Sequence, residues 1–239
     1  MRKEKSSEPT GKPCDRIAMY REMKRALPGL DGMYRLVAAL IATRATDNAR
    51  LLIAGAGGGR EIEALGASAL AMDITAIDPS EENLNSAKRV ADGIGVSHRI
   101  TFCSGTIDDL PSRPPFDAAT SLLVMHHLRD DGAKLAYLTA LKDRLTGGGM
   151  LIHADVFFDG LEEFESLIPA YLAHADLVGA NYHAARLELE AIPRLPIVSE
   201  DRTRALFSAA GFSEPREVFR TLWYRCWTSS RTDYCGQGN

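Results

Sequence analysis

The apolar run Leu51-Leu52-Ile53-Ala54, followed at once by Gly55-Ala56-Gly57-Gly58-Gly59, constrains this chain more than any other feature. A short apolar run of this kind reads as a buried strand. Glycines directly behind it let the backbone turn sharply and approach a ligand where a Cβ would collide. Arg60 to Leu65 then reads as a helix whose first turn offers free N–H donors and the positive end of a dipole. Strand, glycine turn and helix in that order favour a phosphate or a carboxylate. For a cluster standing alone, a plain glycine turn is the competing reading.

The cluster does not stand alone. Asp78 lies 19 residues after Gly59, at the end of the next strand-like run. A carboxylate there can accept from two vicinal ribose hydroxyls. The competing reading makes Asp78 an ordinary helix cap before Pro79 and Glu81. The dinucleotide fingerprint G-x-G-x-x-G needs Gly or Ala at position 60, where Arg60 stands, so a nicotinamide dehydrogenase ranks last.

Strands and helices keep alternating. Ile74–Ile77, Arg99–Cys103, Phe116–Val124 and Met150–Val156 read as strands, and Glu81–Gly93 and Gly132–Leu145 as helices. That rhythm predicts βαβ units and a parallel sheet. Asp15–Arg25 and a segment carrying Met33, Leu36, Val37, Leu40 and Ile41 predict two helices in front of it. Residues 160–195 read as helical, and Ser199–Ala210 as a helix capped by Ser199 and stopped by Gly211. Val218–Thr228 predicts one long strand or a hairpin. Residues 1–13 read as a disordered tail and 14–232 as one domain, with cover helices at 14–45 and a helical insertion at 157–200.

The strand–glycine element, Asp78 in ITAIDPS, GTIDDLP at 105–111, FDAATSLLVMHHL at 116–128 and LTGGGMLIHAD at 145–155 together resemble the class I (Rossmann-like) S-adenosylmethionine-dependent methyltransferases. The resemblance implies an α/β fold: a mostly parallel seven-stranded sheet with helices on both faces and an antiparallel last strand. It implies S-adenosylmethionine, or S-adenosylhomocysteine, as the bound cofactor. The methionine part would lie near Gly55, Ala56, Gly57 and Gly59, the ribose on Asp78 beside Pro79, and the adenine near Thr106 and Ile107, with Leu122 at the end of the fourth strand. The expected function is methyl transfer to an unidentified small acceptor.

A narrower resemblance, to the carboxy-S-adenosylmethionine synthases that serve tRNA wobble-uridine modification, rests on LPGLDGMYRLVAAL (27–40), ARLELEAI (185–192), LFSAAGF (206–212) and EVFRTLWYRCW (217–227). It implies carboxy-S-adenosylmethionine as the ligand and Arg186 as the residue holding its extra carboxylate. Arg186 acting from a neighbouring subunit would imply a homodimer. Ile53 and Thr106 stand where the broader family has acidic residues, and Leu30 and Leu122 where the narrower one has Tyr and Asn. These four positions motivate a third reading, a non-catalytic cofactor-binding protein.

His126-His127 follows the fourth strand at the carboxyl edge, where ligands of open α/β sheets bind. Imidazole titrates near neutrality, so His126 is the candidate catalytic base, against the reading that the pair is only a strand exit. Strand alternation would place at most one of the two rings in the cleft. His153 and Asp155 lack any recognised ligand spacing, and no metal is expected. Tyr171, His174, Tyr182 and His183 read equally as a substrate cover or as a packing face.

Composition narrows the partners. The 28 Lys and Arg against 32 Asp and Glu give a net charge of −4, which argues against direct nucleic-acid binding and leans towards a small acceptor. Arg216, Arg220, Arg225 and Arg231 read as a solvated basic face. The start carries no apolar stretch, no run is long enough to cross a bilayer, and four scattered cysteines suit a reduced compartment. A cytoplasmic protein without a membrane partner is expected.

Overall fold

The computed structural model describes residues 16–44, 48–111 and 114–232. The expected tail at 1–13, together with Cys14 and Cys235, lies outside the described residues.

Seven strands form one sheet: β1 Ala49–Ala54, β2 Met72–Asp78, β3 Ile100–Ser104, β4 Phe116–Leu122, β5 Leu145–Val156, β6 Arg216–Thr221 and β7 Tyr224–Ser230. Their spatial order is β3-β2-β1-β4-β5-β7-β6. The first five run parallel, and β7 is antiparallel to both β5 and β6. The segment left open between one strand and two is therefore a hairpin, with Leu222 at φ 44° in its tight turn.

Eight α-helices accompany the sheet among the described residues: α1 Arg16–Arg25, α2 Leu30–Ala42, α3 Arg60–Leu65, α4 Glu81–Gly93, α5 Ala133–Arg144, α6 Leu161–Leu177, α7 Tyr182–Ala191 and α8 Glu200–Ala210. None is long and apolar enough to cross a membrane. Alternate strand residues face opposite layers. Leu51 and Ile53 join α2, α3, α4, α6 and α7 in one core, whereas Leu52 and Ala54 join α5 and α8 in the other. Both faces of the sheet are thus covered, which is why its strands are nearly continuous apolar runs. Ser199 caps α8 by accepting from the Arg202 amide, and Gly211 ends it in the left-handed conformation, as the sequence predicts.

Strand order reverses between β1 and β4, so their carboxyl ends flank the crevice where open α/β sheets take ligands. The front helices and the insertion meet beside it. Lys24 of α1 donates to Glu188 of α7 at 2.8 Å and to the Tyr224 hydroxyl of β7 at 2.6 Å. Burial opposes the lysine charge, but Glu188 and Tyr20 beside it hold its pKa above the ordinary value. His174 Nδ1 donates to the Ala26 carbonyl at 2.8 Å.

The solvated basic face forms only in part: Arg216 and Arg220 are exposed, whereas Arg225 and Arg231 turn inward. Arg225 is buried and bonded to Glu200, Arg220 pairs with Glu163 at 3.0 Å, and Arg231 donates to the Leu145 carbonyl at 2.6 Å. These guanidiniums close the sheet edge onto α6, α8 and the start of β5. Planar forks with several donors suit that task.

Candidate active site

The site grows from the turn after β1. Gly55 has φ 76°, and a Cβ there would stand 2.3 Å from Val124 Cγ2. Gly59, at φ 82°, would place a Cβ 2.9 Å from the Ala87 backbone of α4. Glycine is required at both positions, first for the turn and then for close helix packing. The amides of Gly55 and Ala56 donate to the Ile77 carbonyl, both at 2.9 Å, so the turn is fastened to β2.

Asp78 completes that fastening. Its Oδ2 accepts from the Gly57 amide at 2.9 Å, and its Oδ1 from the Ser80 amide at 2.9 Å and the Asn83 side chain at 3.2 Å. Ser80, rather than Asp78, is the N-cap of α4. A carboxylate offers about four acceptor sites. Three protein donors therefore leave Asp78 acceptor capacity towards the crevice. Pro79 beside it is exposed. Thr106 begins a short 3-10 turn, where its amide and hydroxyl both bond Asp109 Oδ2, at 2.7 and 2.8 Å. Ile107 and Leu122 are buried.

Leu123, just past β4, takes φ 60°, a conformation unusual for leucine that costs on the order of 1 kcal/mol. Its amide bonds the Ala154 carbonyl at 2.7 Å, which holds the bend in place. The bend sends Val124 onto Gly55 and starts a 3-10 turn over Met125–His127. Strand alternation consequently does not apply to the histidines. Their ring centroids are 4.2 Å apart and their Nε2 atoms 3.1 Å apart, so the two rings work as a pair.

His126 Nδ1 is hydrogen-bonded to Asp155 Oδ1 at the end of β5. Burial raises the Asp155 pKa, but His126, His153 and the Val156 amide bring it below the usual carboxylate range. An ionised Asp155 favours a proton on Nδ1 of His126 and leaves its Nε2 with a lone pair. Desolvation and then His126 push His127 down to about 4, and desolvation takes buried His153 to about 4. Lys134 donates to the Met125 carbonyl at 2.7 Å, and desolvation lowers its pKa.

Sequence reasoning missed Glu61. It stands in the first turn of α3, where an acidic residue is explained by the helix dipole alone, so its burial left no separate signal. The side chain is buried and its Oε1 has no hydrogen-bond partner. Desolvation raises its pKa to about 8. The glycine cradle, the spare capacity of Asp78 and this orphaned oxygen fit a polar cofactor carrying hydroxyls and a cation.

The insertion residues divide. Tyr171 is fully buried, and its hydroxyl lies 3.4 Å from both Glu188 and the Met23 carbonyl, so it and His174 are packing residues. Tyr182, His183 and Arg186 are exposed, with the Arg186 guanidinium 5.5 Å over the Tyr182 ring. Arg186 is thus on the exposed face of α7, opposite the buried Ala184, Ala185, Glu188 and Leu189. A separate cleft of about 420 Å³, lined by Pro111, Phe116 and Arg144 among others, lies at the amino ends of β4 and β5.

Residues 51–149 match the family described as a methyltransferase domain. The chain is 31% identical over 96 residues to a tRNA U34 carboxymethyltransferase of Proteus mirabilis, covering 40% of this chain and 28% of that protein. It therefore spans little more than a quarter of that relative's length. A possible exported protein from Bordetella parapertussis superposes with a TM-score of 0.65 at 20% identity, over 95% of this chain and 77% of the other. A putative O-methyltransferase from Nostoc punctiforme gives 0.63 at 17% identity, over 90% and 61%. Residues 51–149 thus match a methyltransferase domain, and the chain as a whole shares its fold with the putative O-methyltransferase.

Proposed function

We propose that this protein is an S-adenosylmethionine-dependent methyltransferase acting on a small acceptor. The observation that carries the reading is the glycine turn bound to Asp78 across the sheet's switch point, with the His126–Asp155 pair at the next strand ends. S-adenosylmethionine, when bound, supplies an electrophilic methyl group on a sulfonium that departs as a neutral thioether. Asp78 would accept from ribose hydroxyls, and Gly55, Ala56, Gly57 and Gly59 would let the methionyl part approach the backbone. Pro79, Thr106, Ile107 and Leu122 would border the adenosine.

His126 is the residue for the acceptor's proton, because its bond to Asp155 through Nδ1 leaves Nε2 as the accepting nitrogen. That nitrogen faces His127, which is exposed and held neutral. An acceptor meets His127 first and reaches His126 through it or by turning it aside. Calorimetric titration with S-adenosylhomocysteine tests the reading, followed by labelled-methyl transfer to a panel of small acceptors. No binding at millimolar ligand overturns it.

A second reading is a carboxy-S-adenosylmethionine synthase-like enzyme of tRNA wobble-uridine modification, in keeping with the 31% identity to a tRNA U34 carboxymethyltransferase. Arg186 would then hold the extra carboxylate from a neighbouring subunit of a homodimer, consistent with its exposure on α7. The mass of the ligand that co-purifies decides, since the carboxylate adds to it. Binding without turnover on any acceptor would leave the non-catalytic reading, which robust turnover removes.

A further inference from the structure

Among the described residues, Glu61 is the one carboxylate with a buried oxygen that lacks a hydrogen-bond partner. Buried polar groups are nearly always paired, so an orphaned carboxylate oxygen at a crevice calls for a ligand donor. Nearby cations are committed elsewhere. Arg60 is bonded to Asp31 and lies 4.6 Å over the Tyr34 ring, and Arg21 reaches the Gly58 carbonyl at 3.4 Å. Helical side chains lean towards the helix N-terminus, which aims Glu61 at the glycine turn that precedes α3. Asp78 bonds that turn at Gly57, so the two carboxylates bracket it. The end of β1 offers nothing polar of its own, because Ile53 is fully buried in the apolar core.

Two positively charged groups occur in S-adenosylmethionine, the sulfonium and the α-ammonium, and only the ammonium has N–H donors. We propose that Glu61 receives the α-ammonium of the cofactor's methionyl end, opposite Asp78 on the ribose. The assignment rests on the cofactor reading above. It makes Glu61 a cofactor-binding residue that recognises the amino-acid part of the ligand and not its nucleoside. The ammonium also supplies the counter-charge that an ionised carboxylate needs in so buried a position.

The test is calorimetry on the full chain with S-adenosylhomocysteine and with its deaminated analogue, the 3-carboxypropyl thioether of 5′-thioadenosine. The wild type should prefer S-adenosylhomocysteine by ~tenfold or more, as expected for a charge-assisted hydrogen bond. Glu61→Gln should abolish that preference, weakening S-adenosylhomocysteine ~tenfold while changing the analogue less than about twofold. An equal loss for both ligands, or a preference that survives the substitution, overturns the assignment. A wild type that binds both ligands equally well overturns it too, and leaves the cofactor reading standing. A wild type that binds neither removes both. The wild-type comparison needs no variant, and a melting temperature of Glu61→Gln no lower than wild type at pH 8 certifies that the variant folds.

Discussion

The Gly57 amide donates to Asp78 Oδ2 at 2.9 Å, so the turn that begins the site and the carboxylate that ends β2 are one bonded unit. Three donors converge on that carboxylate, and an amide in its place can satisfy only some of them. Asp78→Asn should lower stability by about 1–2 kcal/mol. It should weaken S-adenosylhomocysteine binding by ~tenfold or more, because a charged acceptor is lost from the ribose. Thermal melts and calorimetry check both effects, and wild-type affinity in the variant would take Asp78 out of the site.

Gly55 and Val124 form the second junction. Gly55→Ala brings a clash with Val124 Cγ2 together with an unfavourable φ of 76°. Overpacking and strain together should cost about 2–4 kcal/mol in chemical denaturation. In a Val124→Ala background the clash disappears, and the same substitution should cost only about 1 kcal/mol. Equal costs in the two backgrounds would show that Val124 does not bear on Gly55.

Two buried groups give opposed pH dependences. His153 packs between Trp227 and Phe207, with centroids 6.0 and 5.5 Å away, and its pKa is pushed down to about 4. The unfolded chain takes up a proton at about 6.5 and the folded one does not, so stability falls as pH drops from about 6.5 to 4. The integrated loss is about 3 kcal/mol. His153→Phe should flatten that acid limb in melts at stepped pH. Glu61, raised to about 8, acts the other way: its contribution is complete below about 4.5 and is lost as pH rises to about 8. Glu61→Gln should therefore match wild type near pH 4.5 and exceed it by several kcal/mol at pH 8. Parallel stability curves for variant and wild type would refute either assignment.

Lys24, Glu188 and Tyr224, all buried, tie α1 to α7 and β7 with little solvent to relieve the charges. Removing one charge strands the other, so Glu188→Gln should cost about 3–5 kcal/mol. Adding Lys24→Met should recover much of that loss, giving a favourable coupling in a double-variant cycle. Strictly additive losses would count against a coupled pair.

The sequence by itself determined the order of elements, the glycine turn and its acid partner. Glu81–Gly93 and Arg60–Leu65 coincide with the helices that form, because caps, glycines and apolar periods are local signals. It also brought Asp78 into the right neighbourhood, since a βα unit fixes where the next strand ends. Tertiary structure decided the rest. Whether His126 and His127 touch depends on the Leu123 bend, held by Ala154 far along the chain. Whether Glu61 is a surface helix acid or a buried one depends on the packing of α2 and α4 against α3, and Arg225 becomes internal where Glu200 of α8 and Phe157 meet it. Burial and charge pairing are set by contacts between distant segments, and those contacts leave no periodicity to read.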